Sequence, residues 1–150
     1  MSTYSYVASS PILRGDPLGL RHANGAERFR CAFNPIGCGI AYWCMEKAYA
    51  AAGDSANDGG DARRHCVWSC CMTKAMGSVG AKGFSDDHEY GDPNNKECER
   101  DMDLFNNNQG RLAAESSEDC GSACRKRPLR EKPTGSCEVC KRKFLGILGQ

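Results

Sequence analysis

The sequence lacks the features that mark several common protein classes. No apolar stretch approaches the roughly 20 residues that a membrane-spanning helix requires. The first ten residues lack the basic and apolar segments of a signal peptide. No GxSxG or GxxxxGK motif is present, which argues against a serine hydrolase of that type and against a P-loop nucleotidase. A formal net charge of +1 also excludes a uniformly basic nucleic-acid-binding arm.

This small net charge hides an uneven distribution. Residues 125–143 carry eight basic and two acidic side chains, so the rest of the chain is acidic overall. A basic block of this kind can contact phosphate groups or a membrane surface. The alternative interpretation is a solvated tail that pairs with the acidic body.

Cysteine, in contrast, is abundant: the chain contains 11 cysteines in 150 residues. Such a content is typical of disulfide-rich or metal-binding proteins, and an odd number leaves at least one thiol outside intramolecular pairing. Cys120, Cys124, Cys137 and Cys140 have the two-knuckle spacing of a structural zinc site, with disulfides as the competing interpretation. Disulfides are the favoured interpretation for the others, which are Cys31, Cys38, Cys44, Cys66, Cys70, Cys71 and Cys98.

The distribution of helix formers and turn residues predicts a helical protein. β-Branched residues are scarce and no alternating strand pattern occurs after residue 20. We predict that Gly53 ends one helix, that Asp61 caps a second helix which Gly77 ends, and that residues 21–36 are irregular. The sequence therefore predicts a mainly α fold, a compact helical domain with a loop-rich, Cys-rich C-terminal segment. Its helices are expected at residues 38–52, 62–76, 78–90 and about 97–114.

Only three histidines are present, and two of them lie among other functional side chains. His65 shares a helix face with Trp68, and an imidazole on an inward face must find a partner or carry a function. His88 is followed directly by Glu89, so these two side chains can orient each other or share a metal. Both histidines are therefore candidate functional residues.

A third polar group lies on the last predicted helix. Asp103, Asn106, Asn107 and Gly110 fall on one stripe at i, i+3, i+4 and i+7. A hydrophobic core does not normally take three polar side chains and a glycine in such a row. The stripe is therefore expected to be paired or functional.

These residues suit general acid–base chemistry. His65 and His88 can serve as general base and acid, with Glu89 orienting one of them. Alternatively, His65, His88, Glu89 and Asp103 can bind a divalent metal that activates water. The competing interpretation is a buried hydrogen-bond network that holds three helices together. The side chains assigned to substrate binding are Arg64, Trp68, Asn106, Asn107 and Arg111.

The first twenty residues carry a specific spacing of aromatic, proline and turn residues. They contain the string YxYVxxxPxxxxDPxGL, which runs from residue 4 to residue 20. This string resembles the end of the Rhs repeat-associated core domain of bacterial polymorphic toxins, in which a shell encloses a toxin and cuts itself after the Leu. The resemblance implies a scissile bond between Leu20 and Arg21, with residues 1–20 as the end of the shell.

The polar motifs carry a second resemblance. R-H-x-x-W, H-E and D-x-x-N-N-x-x-G-R, within residues 57–115, resemble a domain of uncharacterised function at the C-termini of Rhs and wall-associated-type toxins. We expect a helical toxin domain at residues 21–119 and a basic, Cys-rich segment at residues 120–150. The resemblance implies a secreted effector that is delivered into a target cell, with a cognate immunity protein and the Rhs shell as partners.

The expected reaction comes from the residues, because the resemblance supplies none. We predict a hydrolase, and a nuclease is favoured because the basic segment can follow phosphate groups. An enzyme acting on phospholipid or peptidoglycan at the cell envelope is the first alternative, and it would explain oxidised cysteines. The second alternative is a toxin that disrupts membranes or binds a target without catalysis.

Overall fold

The computed structural model describes residues 24–52, 60–93 and 95–131. Within these ranges the chain forms five α-helices and no strand, which confirms the predicted mainly α fold. None of the described helices is long and apolar enough to cross a membrane. The helices are α1 (Gly25–Phe33), α2 (Pro35–Ala52), α3 (Gly60–Gly91), α4 (Glu97–Ala113) and α5 (Cys120–Arg125).

Helix α1 lies in a segment predicted to be irregular, and that prediction is wrong. Asn24 and Glu27 form a capping box: the Asn24 side chain accepts from the Glu27 backbone N–H, and the Glu27 carboxylate accepts from the Asn24 backbone N–H. The Asn24 amide also donates to the carbonyls of Asp87 and His88, at 2.8 and 3.1 Å. These two carbonyls lie near the end of α3, where carbonyls lack partners within the helix. The Asn24 amide supplies the missing partners and so joins α1 to the end of α3.

Helix α2 begins three residues earlier than predicted, with Pro35 in its first turn. Proline suits that position because its missing N–H would have no helical partner. The buried face of α2 consists of small side chains, whereas Trp43 is 53% exposed. The buried residues are Gly37, Cys38, Ala41, Cys44 and Ala48.

Helix α3 is interrupted at Gly77, where φ is +83° and ψ is 162°. This backbone conformation is essentially restricted to glycine, because a Cβ would strain it. The predicted end of a helix at Gly77 is therefore confirmed, and α3 consists of an N-terminal arm (residues 60–76) and a C-terminal arm (residues 78–91). Asp61 lies inside the first turn of the N-terminal arm rather than before it.

The two arms of α3 fold back on each other. His65 and Glu89 are 24 residues apart, and a straight helix of that length would span about 36 Å. Their side chains nevertheless lie 3.3 Å apart. Gly77 is thus the point of a chain reversal that brings the start of the N-terminal arm beside the end of the C-terminal arm.

Helix α4 packs closely on the N-terminal arm of α3. At Gly110 an added Cβ would lie 2.2 Å from the backbone oxygen of Cys66 and 2.8 Å from the Cβ of Ser69. Only glycine fits such an approach, so the predicted polar stripe of α4 faces α3. The core between these elements includes Trp68, Met72 and Met102.

Four disulfides cross-link the helices: Cys31–Cys38, Cys44–Cys71, Cys66–Cys124 and Cys70–Cys120. Cys98 is disulfide-bonded as well. All nine cysteines in the described ranges are therefore oxidised, as the disulfide interpretation predicts. Two of the disulfides join α5 to α3. They therefore link the expected helical domain, residues 21–119, to the expected Cys-rich segment, residues 120–150.

The zinc interpretation of the C-terminal cysteines is corrected by these pairs. A tetrathiolate site would need the sulfurs of Cys120 and Cys124 as free thiolates. Both sulfurs are instead bonded to cysteines of α3, because α5 packs against that helix. Cys137 and Cys140 lie outside the described residues, as do Leu20 and Arg21 of the predicted cleavage motif.

We predict that Gly77→Ala destabilises the protein and that Gly39→Ala does not. Neither position has an atom within 4 Å of an added Cβ, so the two variants differ in backbone conformation rather than in available space. The positive φ at Gly77 should lower the free energy of unfolding by about 1–3 kcal/mol. Alanine at helical Gly39 should leave it unchanged or raise it by up to about 1 kcal/mol. Urea denaturation of both variants tests this, and equal shifts would contradict the assignment of the reversal to Gly77.

A second prediction concerns the relative contributions of the disulfides. Cys66–Cys124 closes a separation of 58 residues and Cys31–Cys38 one of 7, while all four sulfur-bearing side chains are buried. Loop-closure entropy predicts a loss of about 4 kcal/mol when both cysteines of the long pair become alanine, and of about 2 kcal/mol for the short pair. Urea denaturation of the two double variants measures the difference. A larger loss for the short pair would show that unfolded-state entropy does not dominate here.

Candidate functional site

The candidate site is a group of four buried or partly buried side chains, Asp61, His65, Glu89 and Asp103, called the His65 cluster below. The His65 Nδ1 atom lies 3.3 Å from Glu89 Oε1. On the other side of the ring, Nε2 lies 3.4 Å from Asp103 Oδ1 and 3.9 Å from Asp61 Oδ1. One imidazole is thus surrounded by three carboxylates.

Local helix geometry and the fold each contribute to this arrangement. Asp61 and His65 are four residues apart in the N-terminal arm of α3 and therefore share a face. Glu89 comes from the C-terminal arm after the reversal at Gly77, and Asp103 comes from α4. His65, Glu89 and Asp103 were all predicted as catalytic residues, and the structure brings them together.

Glu89 is the most deeply buried member of the cluster, with a side chain that is 1% exposed. Its Oε1 accepts a hydrogen bond from the Asn107 amide at 3.1 Å, and its Oε2 accepts one from the Asn95 amide at 3.0 Å. These two donors and His65 fix the carboxylate in place. Glu89 thus lies beside the imidazole, next to the residue that the sequence predicted it could orient.

The pKa of His65 is raised to about 9. Burial alone would lower it, because a low-dielectric environment disfavours the charged imidazolium. The interaction with Glu89 at 3.3 Å and the negative charges of Asp103, Glu89 and Asp61 outweigh this effect. The His65 ring is consequently a cation at neutral pH.

The pKa of Asp103 is raised to about 7, mainly by burial. The positive charge of His65 lowers it, while the charges of Glu89 and Asp61 raise it further. The Oδ1 atom of Asp103 is also buried without a hydrogen-bond partner. A buried carboxylate with an unpaired oxygen beside two others marks an electrostatically costly arrangement, which is common at functional sites.

His88 lies beside this cluster but has a different partner. Its Nδ1 atom is 2.7 Å from Oε1 of Glu27 in α1, and its ring centre is 6.1 Å from that of His65. Burial lowers the pKa of His88, but the hydrogen bond and charge of Glu27 raise it overall. The sequence predicted His88 as a catalytic partner of His65, whereas the structure pairs it with a residue of the segment expected to be irregular.

Asn106 and Asn107 are fully buried and bonded within the protein. The Asn106 side chain pairs with the backbone of Arg130 in both directions, each hydrogen bond being 2.8 Å long. The Asn107 amide donates to Glu89. Both amides therefore anchor the protein's own groups, although the sequence predicted a role in substrate binding.

Three predicted substrate-binding residues remain, and of these Arg64 contacts the cluster. Trp68 is buried, and its indole N–H donates to the Ala41 carbonyl at 2.9 Å, so it joins α3 to α2. Arg64 donates to Asp61 at 2.8 Å and therefore does lie at the cluster. Arg111 contacts Asn108 at 3.1 Å, away from the cluster, and burial lowers its pKa.

Sequence reasoning missed two participants. Asp61 was predicted only as a helix cap, although its spacing of four residues from His65 was a sufficient signal for a shared face. Glu27 was passed over because its segment was expected to be irregular. Its capping-box pattern could have revealed the helix, but its contact with His88 joins residues 61 positions apart and leaves no local signal.

The raised pKa of His65 predicts that stability falls as pH rises. Because the folded-state pKa of about 9 exceeds the unfolded value near 6.5, the contribution is complete below about pH 6.5 and is lost as pH rises through about 9. Its size is on the order of 3 kcal/mol. The test is urea denaturation of the unaltered protein and of His65→Gln, in EDTA-containing buffer at pH 6 and 9.5. The difference in the free energy of unfolding between the two proteins should be smaller at pH 9.5 than at pH 6. A difference that is constant with pH would contradict the assignment.

A family model described as a domain of unknown function, DUF6973, matches residues 30–131. The matched region runs from α1 to the residues that follow α5, and it contains every member of the His65 cluster. No solved structure matches this chain. Since the match covers more than half of the sequence, the chain belongs to the DUF6973 family.

Proposed function

We propose that this domain is a hydrolase whose reacting groups are His65, Asp103 and Asp61. The observation that carries the proposal is the orientation of His65. Glu89 holds its Nδ1 side, and Nε2 faces two further carboxylates. Asp61, whose side chain is 26% exposed, lies at the more accessible side of the cluster.

This arrangement supplies the groups that hydrolysis needs. A carboxylate can accept the proton of an attacking water, and a positive group beside it can stabilise the negative charge that develops on the substrate. In the metal-free protein, the proton on His65 provides that positive charge. Asp103 is the candidate base because its unpaired Oδ1 lies 3.4 Å from His65 Nε2.

We propose a phosphodiester as the substrate, with nucleic acid favoured. The start of the basic segment packs along α4, the helix that carries Asp103. Arg127 donates to Gln109 at 2.8 Å, and the Arg130 backbone pairs with Asn106, one helical turn from Asp103. Basic residues held along the helix that carries Asp103 would attract a phosphate backbone.

The disulfides favour a second candidate, a phospholipid or other substrate of the cell envelope. Disulfides form and persist in oxidising compartments, and all nine described cysteines are oxidised. The reacting groups would be the same in both candidates. The two proposals differ in the compartment where the substrate occurs.

For the cellular role, we propose an antibacterial effector that is released from an Rhs shell, delivered into a target cell and blocked by an immunity protein. The motif that ends at Leu20 and the polar motifs around His65 and Asp103 support this role through their resemblance to such toxins. The first motif lies outside the described residues, whereas the polar motifs contribute three members of the His65 cluster, His65, Glu89 and Asp103.

The proposal predicts that His65→Gln and Asp103→Asn abolish toxicity. Each variant should be expressed under tight induction in bacteria without an immunity protein, once in the cytoplasm and once with export to the periplasm. Loss of an acid–base group should slow hydrolysis by about 100-fold or more. Asp86→Asn is the matched control, because this carboxylate on the same helix pairs with Lys82.

The compartment and the purified protein separate the candidates. Toxicity in the cytoplasm together with degradation of purified DNA or RNA supports the nuclease. Toxicity confined to the periplasm together with lysis of phospholipid vesicles supports the envelope enzyme. Undiminished toxicity of both His65→Gln and Asp103→Asn, in either compartment, would overturn the hydrolase proposal.

A further inference from the structure

We propose that Asp61, His65 and Asp103 form a binding site for one divalent transition-metal ion. The ligands would be His65 Nε2 and one carboxylate oxygen from each aspartate. These three atoms lie within 4.8 Å of one another. That the ion takes part in catalysis rests on the proposed hydrolase function. That the ion binds at this position rests on geometry alone.

The distances within the group suit a metal ion. Two ligands that each lie about 2.1 Å from a tetrahedral ion are separated by about 3.4 Å. His65 Nε2 and Asp103 Oδ1 are 3.4 Å apart, and Asp61 Oδ1 is 3.9 Å from the same nitrogen. To reach the same separation from His65 Nε2, Asp61 Oδ1 would need to move about half an ångström closer to it. It lies in the first turn of α3 and is partly exposed, so it has room to do so.

An unpaired buried atom points independently to a ligand. Asp103 is 7% exposed, and its Oδ1 atom is buried without a hydrogen-bond partner. This oxygen lies 3.4 Å from His65 Nε2, another of the three proposed ligand atoms. Buried polar atoms are nearly always paired in folded proteins, and a bound cation would satisfy this one.

The charges of the cluster also favour a divalent cation. Three carboxylates surround one imidazole, so the cluster remains negative even when His65 is protonated. Arg64 offsets part of this charge by donating to Asp61 Oδ1 at 2.8 Å. A carboxylate has two oxygens and about four acceptor positions, so Asp61 can bind both Arg64 and a metal ion.

Glu89 supplies the outer contact that metal-bound histidines usually have. A ligating imidazole typically donates its other N–H to a carboxylate, which fixes the tautomer and the ring orientation. Glu89 Oε1 lies 3.3 Å from His65 Nδ1 and is itself held by the amides of Asn107 and Asn95. Glu89 is thus a positioning residue, and it leaves Nε2 to the ion.

The donor set indicates the class of metal. One imidazole nitrogen and two carboxylate oxygens suit Zn²⁺ or Mn²⁺, and the described cysteines are unavailable as ligands because they form disulfides. Three protein ligands leave at least one position open, as in catalytic rather than structural zinc sites. Bound there, the ion would supply Lewis acidity to the proposed hydrolysis.

Isothermal titration calorimetry of the oxidised full chain, stripped with EDTA and with any free thiols alkylated, tests the site. We expect one Zn²⁺ or Mn²⁺ ion per chain. Asp103→Asn and His65→Gln should each weaken binding at least about 100-fold, and Glu89→Gln about 10–100-fold. Asp86→Asn should bind as the unaltered protein does. Circular dichroism and an intact disulfide mass establish that each variant is folded.

The outcomes distinguish this inference from the proposed function. A folded chain that binds neither ion, or an Asp103→Asn variant that binds as well as Asp86→Asn, would overturn the metal site. Hydrolysis that persists in EDTA yet requires His65 would overturn the metal's catalytic role and leave the hydrolase proposal standing. Metal binding that depends on the three ligands, without any hydrolysis, would retain the site and reject the enzyme.

Discussion

The chain reversal at Gly77 is the constraint on which the rest of the structure depends. It folds the two arms of α3 together, so that Glu89 returns to His65 across 24 residues of sequence. Helix α1 then packs on the end of the C-terminal arm through Asn24, and α4 packs on the N-terminal arm through Gly110. Because Asp103 lies two helical turns before Gly110, this close approach also sets the distance between Asp103 and His65. The site is therefore a consequence of two backbone positions that only glycine fills well.

Local signals made much of this fold predictable. Gly77 is a strong helix-ending residue, and the segments around it have the composition of helices, so both arms of α3 and nearly all of α4 were predicted. Helix α1 was missed because it is short and weakly apolar, and its stability comes from a capping box and from contacts with the end of α3. The disulfide partners were also beyond prediction, since connectivity depends on which helices meet after the reversal.

The candidate site was predictable by residue type but not by partner. His65, Glu89 and Asp103 are unusual on helix faces, and the sequence singled them out for that reason. In the sequence, however, a polar stripe whose side chains bind a substrate has the same pattern as one whose side chains bind the protein's own backbone. Asn106 and Asn107 proved to be internal anchors, and His88 proved to pair with Glu27. Burial and long-range contacts decide between these roles, and neither is encoded in local spacing.

The carboxylates of the His65 cluster repel one another, and the positive charge of His65 and the cross-links around the cluster offset that repulsion. Three buried or half-buried carboxylates lie close together, and burial first, then the negative charges of Glu89 and Asp61, raise the pKa of Asp103. Two disulfides start within five residues of His65, at Cys66 and Cys70, and fasten α3 to α5. They restrict the unfolded chain and hold the helices together where the charges would separate them. A divalent cation would relieve the same repulsion from inside the cluster. Disulfides and cation would then be complementary, since the cross-links hold the ligands in place before the ion arrives.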